Sequence, residues 1–392
     1  MVRTTFFRLI PALFFRLGVH RVWRLLPKSF RRTVVSQVSS PLPRRIPDVQ
    51  RPADQPVAVI GPHAAADSSG WVARSEAARW RRQGIEPLLV DVSALFGTGD
   101  AMGPRIINGT DADLKAARTV IVALHPHQMR YVFTAISGIA WDRVHLGATF
   151  VWDLEEVPQD WRPILALFDR LVVPSTFVRE SVRASGLTMP IDTVPYDLSV
   201  PADMVVTRQA YQLPEHTTLF LLMFNYRSGI ARKNVLAAID AFAAVAADRD
   251  DIALVIKSHA SEAVPTEHRR VRDRIANNPN IIEVDQELTD AQAWGLIATV
   301  DCVLSPHRSE GYGLTLMQGL MLDRWVIGTD WSGPTDFLHG AKVIRLPYRL
   351  VPVEDPTGMY GMYQDLRWAE PDLDAVKAAI TKVADACAGH RS

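Results

Sequence analysis

SPHRSEGYGLTLMQGLMLDRWVIGTDWSG, residues 305–333, decides how this chain is read. The apolar run CVLSP (302–306) ends at Pro306, a loop supplies Glu310 with Gly311 and Gly313, and helix-compatible sequence starts near Leu314. A second apolar run, WVIGTD (325–330), follows. Strand, glycine loop, helix and strand in succession are the repeating unit of a parallel α/β sheet. Glycine lets the backbone approach a ligand, and a helix start presents unpaired N–H groups to anionic or hydroxyl-rich molecules. A carboxylate at Glu310 accepts hydrogen bonds from such hydroxyls.

The same alternation extends in both directions. Apolar runs at 218–224, 252–258, 302–306 and 325–330 make one set, and runs at 57–61, 87–92, 119–124, 148–154 and 169–175 make another. WVARSEAARWRRQG (71–84) is helix-compatible between the first two of these. With 392 residues, 48% of them hydrophobic, the chain has material for roughly two globular domains. The expected fold class is α/β, two Rossmann-like doubly wound domains facing across a cleft, with Pro195 to Pro201 as the connection. The expected divisions are a basic leader (1–47), an N-terminal domain (48–200), a C-terminal domain (201–371) and a terminal helix (372–392) returning to the first domain.

FNYRSGIARKNVLAAIDAF (224–242) places Arg227, Arg232 and Lys233 between a strand and an alanine-rich helix. Fixed positive charge and backbone donors converging at a helix start suit a diphosphate. Cations there oppose the helix dipole, which argues against an idle surface cluster.

Together these segments resemble the retaining glycosyltransferases of family 4 (glycosyl transferases group 1), which have the GT-B fold. That family's pattern reads like HRSEGFGL, then Ala-Glu-Ala-Met, then GKPVIAT and a Ser-Gly turn. It also has an Arg-Lys-Asn triplet and a basic pair six positions apart, matched by Arg227 and Lys233. The resemblance runs from about residue 57 to about residue 375, ending in WAEPDLDAV (368–376). It implies sugar transfer from a nucleoside diphosphate sugar with retention, and no metal or other cofactor. Glu310, Lys233, Arg227 and His127 are then the catalytic candidates. Arg232, Ser309, Gly311, Tyr312, Gly313, Leu314 and Gln318 are the donor-binding ones. Two departures stand out. Gln318 replaces a second glutamate that binds the nucleotide ribose, losing a charge-assisted bond. Asp323 and Trp325 stand where glycine and proline are common, so the turn between them is not fixed by the pattern.

In the first half, GPHAAADSSGWVAR (61–74) looks like the family's glycine loop, with Gly70 and Arg74 at matching places. A dinucleotide fingerprint, Gly-x-Gly-x-x-Gly directly after the strand, is absent, which disfavours a nicotinamide-dependent oxidoreductase. ALHPHQMRY (123–131) sets His125 and His127 after a strand, where related enzymes carry a histidine near the donor sugar; structural histidines are the other reading. WDLEEVPQDW (152–161) resembles a family Trp-Glu-Leu stretch with Asp153 in the glutamate's place. Gly70, Arg74, His125 and Asp153 are therefore the acceptor-side candidates. Asp111 and Asp113 fit the first turn of a helix better than a metal site.

Charge adds a last feature. The 43 basic and 43 acidic side chains balance, yet residues 1–47 hold ten basic side chains and no acid. Residues 6–17 place Phe6, Leu9, Ile10, Leu13, Phe14 and Leu17 on one helical side with Arg8 and Arg16 opposite, a pattern that suits a membrane interface. An anionic membrane surface is the expected partner of residues 1–32, with a saccharide or lipid-linked saccharide as acceptor and a cytoplasmic, peripheral location on the inner face. Packing on the chain's own acidic body and an organelle transit peptide are the alternatives. No nucleic-acid-binding signature accompanies the basic leader. Cys302 and Cys387, the two cysteines, make no disulfide framework. A non-catalytic sugar binder with a degenerate donor site and a GT-B nucleotide-sugar epimerase share the architecture and stay open.

Overall fold

The computed structural model describes residues 45–48, 50, 52–65, 68–96, 103–136, 138–276, 278–355, 360–361 and 363–389. These fall into two compact units. The first holds residues up to Val151, Val157–Pro174 and Val182–Asp197; the second holds Trp152–Glu156, Ser175–Ser181 and the chain from Leu198 on. The basic leader lies outside the described residues except at its last positions, 45–47.

In the first unit, β1 (Val57–Gly61), β2 (Leu88–Asp91), β3 (Arg105–Ile106), β4 (Thr119–Ala123), β5 (His145–Thr149), β6 (Arg170–Val173) and β7 (Ile191–Thr193) form a seven-stranded sheet. Its order is β3-β2-β1-β4-β5-β6-β7, parallel except for the edge strand β3. β1 and β4 are buried at every position, which is why both read as unbroken apolar runs rather than as alternation. Arg45, the last arginine of the leader, is buried here: it donates to the Leu167 and Trp141 carbonyls at 2.9 and 2.6 Å and pairs with Asp169. Asp169 also accepts from the Asp48 and Leu146 amides, each at 2.7 Å. Thr110 and Asp113 form a reciprocal capping box at the helix Asp111–Ala116.

The second unit carries β8 (Thr218–Met223), β9 (Ile252–Ser258), β10 (Ile281–Asp285), β11 (Cys302–Ser305), β12 (Trp325–Thr329) and β13 (Val343–Leu346) in an all-parallel sheet of order β10-β9-β8-β11-β12-β13. This is the doubly wound order, with its reversal between β8 and β11. An antiparallel pair, β14 (Tyr348–Pro352) and β15 (Arg367–Pro371), follows. The terminal helix Leu373–Ala388, expected to return to the first domain, instead completes the second unit's core. Val376, Ala379, Ile380, Val383 and Ala384 line one helical face and pack with Phe220, Phe242, Leu304 and Ile327. Asp372 caps it by accepting from the Asp374 and Ala375 amides.

The turn left open by Asp323 keeps the backbone that a glycine would supply. Asp323 has φ 54° in the left-handed region, and Lys342 bonds its carbonyl at 3.0 Å and its carboxylate at 2.6 Å. Among the described residues, no helix is long and apolar enough to cross a membrane.

Candidate functional site

Open parallel sheets bind ligands outside the carboxyl ends of their strands, where the strand order reverses. In the second unit that point lies between β8 and β11, and both strands run into the loops singled out by the sequence. After β8, Asn225 accepts from the Arg227 amide at 2.8 Å to set a tight turn. The short helix Ile230–Lys233 follows, and Asn234, at φ 56°, joins it to the helix Val235–Ala246. Arg232 and Lys233 thus stand immediately ahead of that longer helix. After β11, the loop ends at Gly313, whose φ is 95°; a Cβ there would meet Pro334 Cγ at 2.8 Å, so only glycine fits this start of the helix Leu314–Met321.

The two loops meet at Glu310. Its carboxylate pairs with Lys233 Nζ and lies 3.1 Å from Arg232 Nη1. Its backbone is held by the Ser-Gly turn: the Glu310 amide donates to Ser332 Oγ at 2.9 Å, and the Gly333 amide donates to the Glu310 carbonyl at 2.8 Å. Burial alone would raise the carboxyl's pKa, but Lys233 and Arg232 hold it down at about 2, so Glu310 is ionised at neutral pH. A small cavity beside the pair is lined by Met223, Lys233, Ser305, Glu310, Gly313 and Thr315.

Arg232 is enclosed rather than presented. It is 6% exposed, donates to the Ser309 carbonyl at 2.8 Å and faces Asp153 Oδ1 at 3.4 Å. Burial opposes its charge, and the Asp153 and Glu310 carboxylates more than compensate, raising its pKa. Its role is to hold this loop, whereas Lys233 retains some access to solvent. Asp153, expected on the acceptor side, belongs to the second unit. Its Oδ1 accepts from the Gly311 amide at 2.8 Å, its Oδ2 from the Tyr360 hydroxyl at 2.6 Å, and its carbonyl from Ser309 Oγ. The Gly311 amide is therefore already bonded, which moves any donation to a ligand onto the later amides of the loop.

Arg227 stands apart from this group, exposed on the turn after β8 and 3.5 Å from Glu262. Tyr312 is buried against Phe337, ring centroids 5.3 Å apart, and burial pushes its hydroxyl up to about 12. Its side chain is packing, so only its backbone faces the loop. Leu314 opens the helix Leu314–Met321 and Gln318 lies one turn further along it, both half-buried.

In the first unit, Arg74 Nη1 donates to the His63 and Ala65 carbonyls at 2.9 and 2.7 Å. Gly70 lies so near that a Cβ would sit 1.9 Å from the Ala65 oxygen. These two residues build the loop after β1. After β4, His125 and His127 face each other Nδ1 to Nδ1 at 2.6 Å, so one donates and the other accepts, and both rings lie against Trp161. His127 is exposed and His125 half-buried. Among the described residues no cluster of three or more metal-ligating side chains forms around them.

Sequence reasoning missed Ser332, Ser175 and Tyr360. The Ser-Gly turn carried a signal for the first; Ser175, whose hydroxyl donates to the Gly311 carbonyl at 2.6 Å, and Tyr360 carried none.

Two doubly wound α/β units with an acid and a base at the reversal of the second sheet define a protein of the GT-B fold. Solved structures bear this out. The chain is similar to a glycosyltransferase from Rickettsia africae ESF-5, with TM-score 0.57, 14% identity, and 83% of this chain and 87% of that one covered. It is similar also to Anabaena HepE in complex with UDP and glucose, with TM-score 0.55, 11% identity, and 84% and 91% covered. HepE in complex with UDP-glucose gives TM-score 0.52 at 10% identity, over 72% of this chain and 83% of that one. Likeness at these identities establishes the fold. No family model and no curated protein matches the chain.

Proposed function

We propose that this protein is a metal-independent glycosyltransferase that moves a sugar from a nucleoside diphosphate sugar to a hydroxyl of a saccharide or lipid-linked saccharide, with retention. The observation that carries the reading is the Lys233–Glu310 pair at the β8/β11 reversal. A diphosphate arriving there competes for the Lys233 ammonium, and the ionised Glu310, kept in place by Arg232, accepts from the sugar's hydroxyls. The fold likeness to a glycosyltransferase and to a protein that binds UDP and UDP-glucose supports the same donor class.

In the transfer, the bond from the anomeric carbon to the phosphate oxygen breaks and the bond to the acceptor oxygen forms. The acceptor's proton passes to the leaving phosphate. Lys233, with Arg227 from the turn after β8, offsets the charge that grows on the diphosphate, the task a metal performs elsewhere. His127, exposed after β4, is the candidate contact to the reacting sugar. The leader 1–32 places the protein on an anionic membrane surface facing the cytoplasm, where a growing surface polysaccharide or lipid-linked chain is the acceptor.

A panel of UDP- and GDP-sugars tested by calorimetry, followed by product analysis with and without saccharide acceptors, tests the proposal. Transfer with retained anomeric configuration supports it. Binding without turnover favours a non-catalytic sugar binder, conversion of the donor without acceptor favours an epimerase, and no binding at all overturns the donor assignment.

A further inference from the structure

We propose that Asp153 and Tyr360 are positioning residues that set the direction of the Glu310 carboxylate; the inference rests on the glycosyltransferase reading above. Gly311, the residue after Glu310, is pinned at both ends of its backbone by side chains from far earlier in the chain. Its amide donates to Asp153 Oδ1 at 2.8 Å, and its carbonyl accepts from Ser175 Oγ at 2.6 Å. Asp153 is itself anchored. Its second oxygen accepts from the Tyr360 hydroxyl at 2.6 Å, and its first faces Arg232, the cation that also touches Glu310. The Tyr360 ring lies beneath the Arg232 guanidinium, 5.8 Å from centroid to Cζ, and is buried among Trp152 and Trp368.

Two carboxylates and two cations therefore form a charge-balanced chain, Lys233 to Glu310 to Arg232 to Asp153, and Tyr360 supplies the one neutral side-chain donor to the Asp153 carboxylate. Burial and the neighbouring Asp153 charge raise the Tyr360 hydroxyl well above its ordinary value, which keeps it a donor throughout the working pH range. Without that hydroxyl, Asp153 Oδ2 loses its partner and the carboxylate swings toward Arg232. Arg232 then shares itself differently between the two acids, and Glu310 loses its fixed aim. A misaimed carboxylate lowers the rate of the chemical step more than it lowers donor affinity, because the diphosphate contact through Lys233 survives.

The test is Tyr360→Phe, which removes the hydroxyl and keeps the ring packed, alongside Asp153→Asn and Asp153→Ala. Turnover with the best donor from the panel, donor KM and the thermal unfolding midpoint are measured for each. Tyr360→Phe is expected to lower kcat roughly tenfold, the scale of one hydrogen bond to a charged group. Donor KM should stay within about twofold, and the midpoint should fall by no more than about a few degrees, leaving the protein folded at the assay temperature. Asp153→Asn, which keeps an acceptor for the Gly311 amide, should retain more turnover than Asp153→Ala. Unchanged kcat in Tyr360→Phe, or a kcat loss that follows the loss of folded protein, overturns the assignment. A wild-type protein that neither binds nor consumes any nucleotide sugar overturns the function itself, and the positioning role with it.

Discussion

Replacing Lys233 by alanine removes the cation beside Glu310 that the site can offer to a diphosphate, leaving only Arg227 on the turn after β8, and removes half of what balances Glu310. Lys233 is 19% exposed and Glu310 10%, so their attraction is little screened by water. After the change, Arg232 alone must serve both Glu310, at 3.1 Å, and Asp153, at 3.4 Å. Leaving a buried charged group short of a partner costs about 1–3 kcal/mol of folding stability, a measurable but tolerable loss. The effect on chemistry is larger. A fixed donor aimed at charge that develops in the transition state contributes about 3–4 kcal/mol in a water-poor site, so turnover should fall roughly a hundredfold to a thousandfold. Release of nucleoside diphosphate from the preferred donor measures the rate, and urea unfolding measures the stability of the same preparation. Near-normal release by folded Lys233→Ala protein would refute the assignment of Lys233 to the diphosphate.

Three further outcomes follow from the same geometry. Glu310 is held below its ordinary pKa of 4.5, at about 2, so its contribution to stability is complete above 4.5 and disappears as pH falls toward 2. The stability gap between wild type and Lys233→Ala should therefore shrink across that window, and urea unfolding at pH 6 and pH 3 that shows the same gap contradicts it. Gly313→Ala forces a Cβ into a left-handed backbone and against Pro334, and should cost about 2 kcal/mol with weakened donor binding; an unchanged thermal midpoint refutes this. Deleting residues 1–40 should weaken binding to anionic vesicles while activity on a soluble acceptor survives, and undiminished vesicle binding by the shortened protein counts against a membrane role for the leader.

Most strands of both sheets were legible because parallel strands buried on both faces appear as unbroken apolar runs, as at 57–61, 119–124 and 252–258. The run at 148–154 misled in part. β5 is His145–Thr149, and Trp152–Glu156 leaves the sheet to join the second unit, a change of partner that no local pattern records. β3, β7, β10 and β13 went unread because they are very short or mostly half-buried. At the site, Glu310 and Lys233 were legible because each lies in the connection between a strand and the helix that follows it, Glu310 in the loop after β11 and Lys233 at the end of the short helix after β8. Asp153 was singled out but assigned to the wrong side, and Ser175 and Tyr360 were not legible, since Asp153 and Ser175 reach Gly311, and Tyr360 reaches Asp153, across long stretches of chain. Burial was the other hidden quantity. Arg232 and Arg45 both read as available cations, and both are enclosed by carbonyls and carboxylates.

The measurement that bears most directly on the central claim is proton NMR of the product formed from the preferred nucleotide sugar and a saccharide acceptor by purified wild-type protein. The account predicts a new glycosidic bond whose anomeric configuration matches that of the donor, with one nucleoside diphosphate released per bond formed. An inverted product contradicts retention, and nucleotide sugars left unbound and unchanged contradict the account as a whole.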